Sequence, residues 1–137
     1  QVRALDEHSR VDLAFTSGVR LFADGTRADV PSWDFGPEPR RASAAEILGG
    51  VAWQPPTASL MWRAEVTRSW PDWVDGAPFL DLPLIIAASR RGGGWYDPAR
   101  TVAYRIAHPS SFTARLQAAD HGARATYNRR AADTLER

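Results

Sequence analysis

The sequence has no cysteine and no lysine. Without thiols there is no disulfide framework and no thiolate chemistry, and the chain suits a reducing compartment. All 17 basic residues are arginine, a bias of genome composition rather than of mechanism. There is also no excess of charge. A net charge of +1, with no dense basic stretch, argues against a polyanion-binding surface, and no nucleic-acid partner is expected. No apolar run approaches the roughly 20 residues that span a bilayer, so no transmembrane segment is expected. The opening residues, "QVRALDEHSR", are mixed and charged, unlike a secretory signal, and read as a chain joined in mid-helix. A cytoplasmic location, free or at the membrane periphery, is the expectation. Neither an internal repeat nor a low-complexity tract occurs.

What is present suits a folded domain. A chain of 137 residues, 44% hydrophobic and with six tryptophans, buries roughly two-thirds of its unfolded surface. Val2 and Leu5 have helical spacing. From Val11 to Gly25 apolar and polar residues alternate, which predicts two strands parted at Ser17-Gly18, with a turn at Asp24-Gly25. A proline-bearing loop over 28–41 carries Trp33 and Phe35, to pack on a core or line a cleft. Ser43 and Glu46 have capping-box spacing for a short helix ending at Gly49-Gly50. Thr57–Trp62 reads as a strand, Arg63–Ser69 as a helical turn or two, and "WPDWVDGAPF" as a second aromatic loop. Leu82–Arg91 is a helix stopped by Gly92–Gly94, and "WYDPARTVAYRI" a strand broken at Asp97-Pro98. From Ser111 a long helix repeats Phe112, Leu116, Ala119, Ala123, Tyr127, Ala131 and Leu135 on one face. That stripe covers its own core or a second copy of the chain, giving a homodimer.

One carboxylate, Asp81, stands where the apolar helix begins. If it is only an N-cap, its partner is the N–H of the second or third helical residue. Pro83 takes the second place and has no N–H, so the cap is underused. A helix N-terminus also favours a negative charge, as a general base within reach of a hydroxyl needs. The residues alone leave base and cap open. Other chemistries are absent: no histidine and carboxylate cluster has metal-ligand spacing, the three histidines are far apart, and there is no G-x-S-x-G. "SRRGGGWY" follows a helix, whereas a phosphate-cradling loop precedes one.

In order, "VRALDEHSRVDLAFTSGVRLFADGT", "ILGGVAWQPPTASLMWRAEV" and "FLDLPLIIAASRRGGGWYDPARTVAYRIAHPSS" resemble the second half of a family-2 glycosyltransferase of the GT-A type. The resemblance covers most of residues 1–113, leaving 114–137 as a C-terminal helix. It implies an α/β fold: a partial GT-A-like mixed sheet flanked by helices, without the N-terminal nucleotide-binding half. The Asp-x-Asp that holds the metal in such enzymes occurs nowhere here, so a fragment or remnant, inactive alone, is expected. The implied reaction moves a sugar from a nucleotide-sugar to a carbohydrate or lipid-linked acceptor hydroxyl with inversion. It requires a divalent metal, Mg or Mn, with most ligands outside this chain.

By the same resemblance Asp81 is the general base, with Leu80 in place of an acidic neighbour. Arg105 and His108, from the closing Tyr-Arg-x-His, are drawn to the donor diphosphate or its metal. Here one extra residue precedes His108, and a continuous strand would turn it to the other face. Only a bulge or an early strand end restores its aim. Trp70 and Trp73, with Asp72 and Asp75 in the same loop, are candidates to line the acceptor groove, because an indole face suits the apolar face of a sugar. Trp33, Trp53 and Trp95 are weaker members of that set. The alternative function is a non-catalytic carbohydrate- or protein-binding module on the same core.

Overall fold

The computed structural model describes residues 1–49, 55–70, 72, 74, 77–106, 108–109 and 111–136. Trp53, Trp73 and Asp75 lie outside the described residues. The fold is α/β, a mixed sheet with helices packed around it.

Strand β1 (Leu13–Leu21) is central and pairs in parallel with β5 (Gly94–Arg105). On its other edge it meets β2 (Arg27–Asp29) and β4 (Met61–Trp62), both antiparallel. The short β3 (Arg40–Ala42) adds antiparallel to β5. The expected turn at Asp24-Gly25 joins β1 to β2, and Asp24 accepts from the Thr26 N–H at 2.9 Å.

Two breaks expected along the chain are one feature. Thr16 pairs with Asp97, Ser17 with Arg100 and Gly18 with Val102, so β5 bulges where it passes Ser17-Gly18. Pro98, which has no N–H for a ladder, falls inside that bulge. The Asp97 carboxylate accepts from the Ala99 N–H at 2.8 Å, and the Thr16 and Thr101 hydroxyls lie 2.5 Å apart. Neither strand is interrupted; each continues past the irregularity.

Alternation along β1 divides the core. Leu13 and Phe15 join Ala42, Ile47, Val66, Leu84, Ile85, Ala88 and Tyr96 on one face, while Ala14 meets Leu5 and Val11 on the other. Phe35, from the proline-bearing loop, sits 5.1 Å from the Phe15 ring, and Trp33 is buried. That loop packs on the core. Helix α1 (Val2–Glu7) buries Leu5.

The Ser43–Glu46 capping box forms as its spacing demands, at the head of α2 (Ala44–Gly49). The Glu46 carboxylate accepts from the Ser43 N–H and hydroxyl, each at 2.7 Å, and the Glu46 N–H returns to the Ser43 hydroxyl at 3.2 Å. The Arg40 guanidinium, and then those Ser43 bonds, lower the Glu46 pKa from 4.5 to about 2. The cap's contribution is therefore complete above the ordinary glutamate range and is lost as pH falls through about 2.

The strand expected over Thr57–Trp62 is mostly a turn. Pro55 and Pro56 lead into a 3-10 turn, Thr57–Ser59, closed by the Ser59 N–H on the Pro56 carbonyl at 2.7 Å. Only Met61–Trp62 pairs with β1. Helix α3 (Ala64–Arg68) follows as expected.

Helix α4 (Asp81–Ser89) buries Pro83, Leu84, Ile85, Ala88 and Ser89 under the sheet, and each large apolar side chain there is worth about 2 kcal/mol. The Gly93 N–H ends it on the Ser89 carbonyl at 2.8 Å. Gly93 has φ +80, and a Cβ there would lie 2.0 Å from the Ala42 carbonyl oxygen. Glycine is required there.

The C-terminal segment is two helices, not one. Helix α5 (Phe112–Ala118) ends where Ala119 turns extended, and α6 (His121–Leu135) starts afresh with Asp120 accepting from the Ala123 N–H at 2.8 Å. The boundary expected at 113/114 falls inside α5. The single apolar stripe is broken with it: Phe112 and Ala123 are exposed, while Leu116, Tyr127 and Ala131 are half-buried.

Candidate functional site

Asp81 is the first residue of α4, and Leu80 holds the cap position without a side-chain bond. The first helical bond runs from the Leu84 N–H to the Leu80 carbonyl at 3.1 Å. Reading Asp81 as a conventional cap is thereby corrected, since the residue lies inside the helix rather than ahead of it. One carboxylate oxygen accepts from the Leu82 N–H at 3.0 Å, and the other faces the Thr57 hydroxyl at a long 3.4 Å. A carboxylate has about four acceptor sites, so these bonds leave lone pairs over. The side chain is half-buried.

Aromatic residues gather next to this carboxylate. Phe79, two residues before it, lies 6.4 Å from the Tyr127 ring, and Phe112 lies 5.5 Å from the same ring. Tyr127 thus ties α5 and α6 to the head of α4. Its phenol pKa is raised above 10.0, first by burial and then by the negative charge of Asp81. The sequence placed Phe112 and Tyr127 on a packing stripe and gave no sign of Phe79, because the contact spans 48 residues of chain.

Arg105 and His108 are brought together elsewhere. Strand β5 ends at Arg105, so the early strand end that His108 needed is present. Both line a cavity of about 350 Å³ with Leu21, Phe22, Ile106 and Pro109, and its lining does not include Asp81. A guanidinium and an imidazole facing one hollow suit an anion. They do not suit a cation. Among the described residues no group of three His, Cys, Asp or Glu side chains could hold a metal ion. The described residues do not by themselves fit the implied divalent metal, most of whose ligands are expected outside this chain.

The tryptophans among the described residues lie in separate places. Trp70 is half-buried and packs against the main core together with Trp62. Trp95 stacks on His8 with ring centroids 3.6 Å apart. Asp72 is exposed. Trp33 packs edge-on to Tyr104 at 6.1 Å, and its buried indole N–H has no partner.

A charged cluster that the sequence did not single out lies past the other end of α4. The Arg91 guanidinium grips both Asp12 carboxylate oxygens, one at 2.9 Å, and Arg63 lies 3.4 Å from the same group. Arg63 also donates to the Val11 carbonyl at 3.2 Å and to the Leu5 carbonyl. Cavities of about 390 and 640 Å³ flank the cluster, and Asp12 and Arg91 line both. With its oxygens held by guanidinium groups, Asp12 is a structural anchor for β1, α3 and the turn after α4.

Compared with protein-family models, with curated proteins and with solved structures, the chain matches none.

Proposed function

We propose that this chain is the acceptor-side half of a family-2-like glycosyltransferase, moving a sugar from a nucleotide-sugar to an acceptor hydroxyl with inversion. The observation that supports it most is the state of Asp81: half-buried at the head of an apolar helix, with one firm amide bond and lone pairs left over. The acceptor hydroxyl hydrogen-bonds to Asp81 and gives up its proton as its oxygen bonds to the anomeric carbon. The bond from that carbon to the diphosphate breaks on the opposite face. The packed helix keeps the carboxylate aimed, so little orientation is lost when the acceptor binds.

A carbohydrate-binding module on the same core is the second reading, supported by the aromatic group next to Asp81. One assay separates the two. The full-length protein is incubated with nucleotide-sugars and an acceptor, and the anomeric configuration of the product is read by proton NMR. Transfer with inverted configuration is expected. Retained configuration overturns the mechanism, and binding without transfer favours the module.

A further inference from the structure

The hollow at the C-terminal ends of β1 and β5 combines a cation with apolar walls. Arg105 and His108 line its roughly 350 Å³ with Leu21, Phe22, Ile106 and Pro109, a size at the lower end of small-molecule sites. Arg3, Arg40, Arg63, Arg68, Arg91 and Arg100 each have a carboxylate partner. Among the described residues the Arg105 guanidinium has none, and no carboxylate lines the hollow. Asp24, in the adjoining turn, is engaged by the Thr26 N–H and hydroxyl at 2.9 and 2.7 Å. Leu21 pairs in register with Arg105 on one side and Arg27 on the other, so both guanidinium side chains leave the same face of the sheet. An anion is drawn to this end of the sheet.

The supply of donors narrows which anion. The amides of Phe22, Gly25 and Ile106 already donate to the Thr26, Phe22 and Leu21 carbonyls, and Pro109 has no N–H. A phosphate or diphosphate spreads its charge over oxygens on several sides and is held by several amides or cations at once. A carboxylate carries two oxygens on one edge, which a single guanidinium fork matches, with an imidazole beside it. The walls also penalise an ion that has to give up water without an apolar body to put in its place. Phe22, 38% exposed, offers a ring to such a body.

We propose that this hollow binds a small carboxylic acid with an apolar, aryl-sized body. Arg105 and His108 take its charged end, and Phe22 and Ile106 lie along the body. Asp81 has no part in the site, which stands whether or not Asp81 acts as a base.

Titration of the chain with phenylacetate in metal-free buffer, followed by NMR, tests this against acetate, 2-phenylethanol and inorganic pyrophosphate. Phenylacetate is expected to bind at least about tenfold more tightly than each of the three. Acetate lacks the body, the alcohol lacks the charge, and pyrophosphate finds too few donors. Arg105→Gln, at an exposed position, should bring phenylacetate down to the level of the alcohol. Arg105→Lys, which keeps the charge and loses the fork, should fall between. Phe22→Ala should bring phenylacetate down to the level of acetate. Arg3→Gln on α1 and Asp81→Asn should change neither, with the unfolding midpoint of every variant read alongside. Pyrophosphate binding more tightly than phenylacetate would overturn the proposal in favour of a phosphate site. Equal binding of phenylacetate and 2-phenylethanol would reduce the hollow to an apolar surface and overturn it too. So would phenylacetate affinity that survives both Arg105 variants, affinity lost in a folded Asp81→Asn protein, or no binding of phenylacetate at all.

Discussion

The two ends of α4 present two carboxylates in opposite circumstances. Past its C-terminal end, Asp12 is gripped by Arg91 and approached by Arg63, and its side chain is only 15% exposed. At its N-terminal end, Asp81 has the Leu82 amide and a distant Thr57 hydroxyl. A carboxylate matched by cations on both oxygens stabilises the fold. One with lone pairs to spare can accept a proton from a guest. The helix between them buries its apolar side chains under the sheet, which fixes both ends at once.

This contrast predicts unequal responses to substitution. The largest belongs to the glycine turn that lets the chain leave α4 and enter β5. Gly93→Ala meets both a positive φ and the Ala42 carbonyl, so a loss above about 4 kcal/mol is expected in urea denaturation. A Gly93→Ala protein of ordinary stability would show that the turn can rearrange, and with it the anchored end.

Next in size is the difference between the carboxylates themselves. Asp12→Ala leaves Arg63 and Arg91 without their anion, and a loss of about 2 kcal/mol is expected. Asp81→Asn keeps the shape and gives up little, within about 0.5 kcal/mol. Denaturation midpoints compare the two directly, and equal losses would erase the distinction.

The smallest effect sharpens the placing of Tyr127. Burial and the charge of Asp81 both raise its phenol pKa, so the neutral phenol is favoured in the fold. The associated stability is fully present below the ordinary tyrosine value and lost as pH rises through the raised one. Asp81→Asn should lower the Tyr127 midpoint while leaving it above 10.0, because burial remains. Phenolate absorbance, with Tyr127→Phe to assign the signal, reads the change. An unchanged midpoint would separate Tyr127 from Asp81.

Local features were legible in the sequence. The Ser43–Glu46 box, the helix behind Asp81 and the glycine stop each depend on neighbours within a few residues, and each formed. The Asp120 cap that starts α6 was equally local, but the apolar repeat running through it masked the break. Long-range pairing was not legible. Ser17-Gly18 and Asp97-Pro98 each look like a strand end until they are set side by side, when they become one bulge. The same holds at the candidate site: Asp81 could be named from its position, whereas Phe79 and Tyr127 meet only through the packing of α5 and α6. Arg105 and His108 were named together and do share a hollow, yet that hollow is not lined by Asp81.

The most direct test of the general-base assignment is turnover of a nucleotide-sugar by the full-length protein, wild type against Asp81→Asn, with folding monitored alongside. The account predicts that transfer falls by a factor of about 100 or more while the unfolding midpoint holds. Transfer at the wild-type rate from a folded Asp81→Asn protein would contradict it.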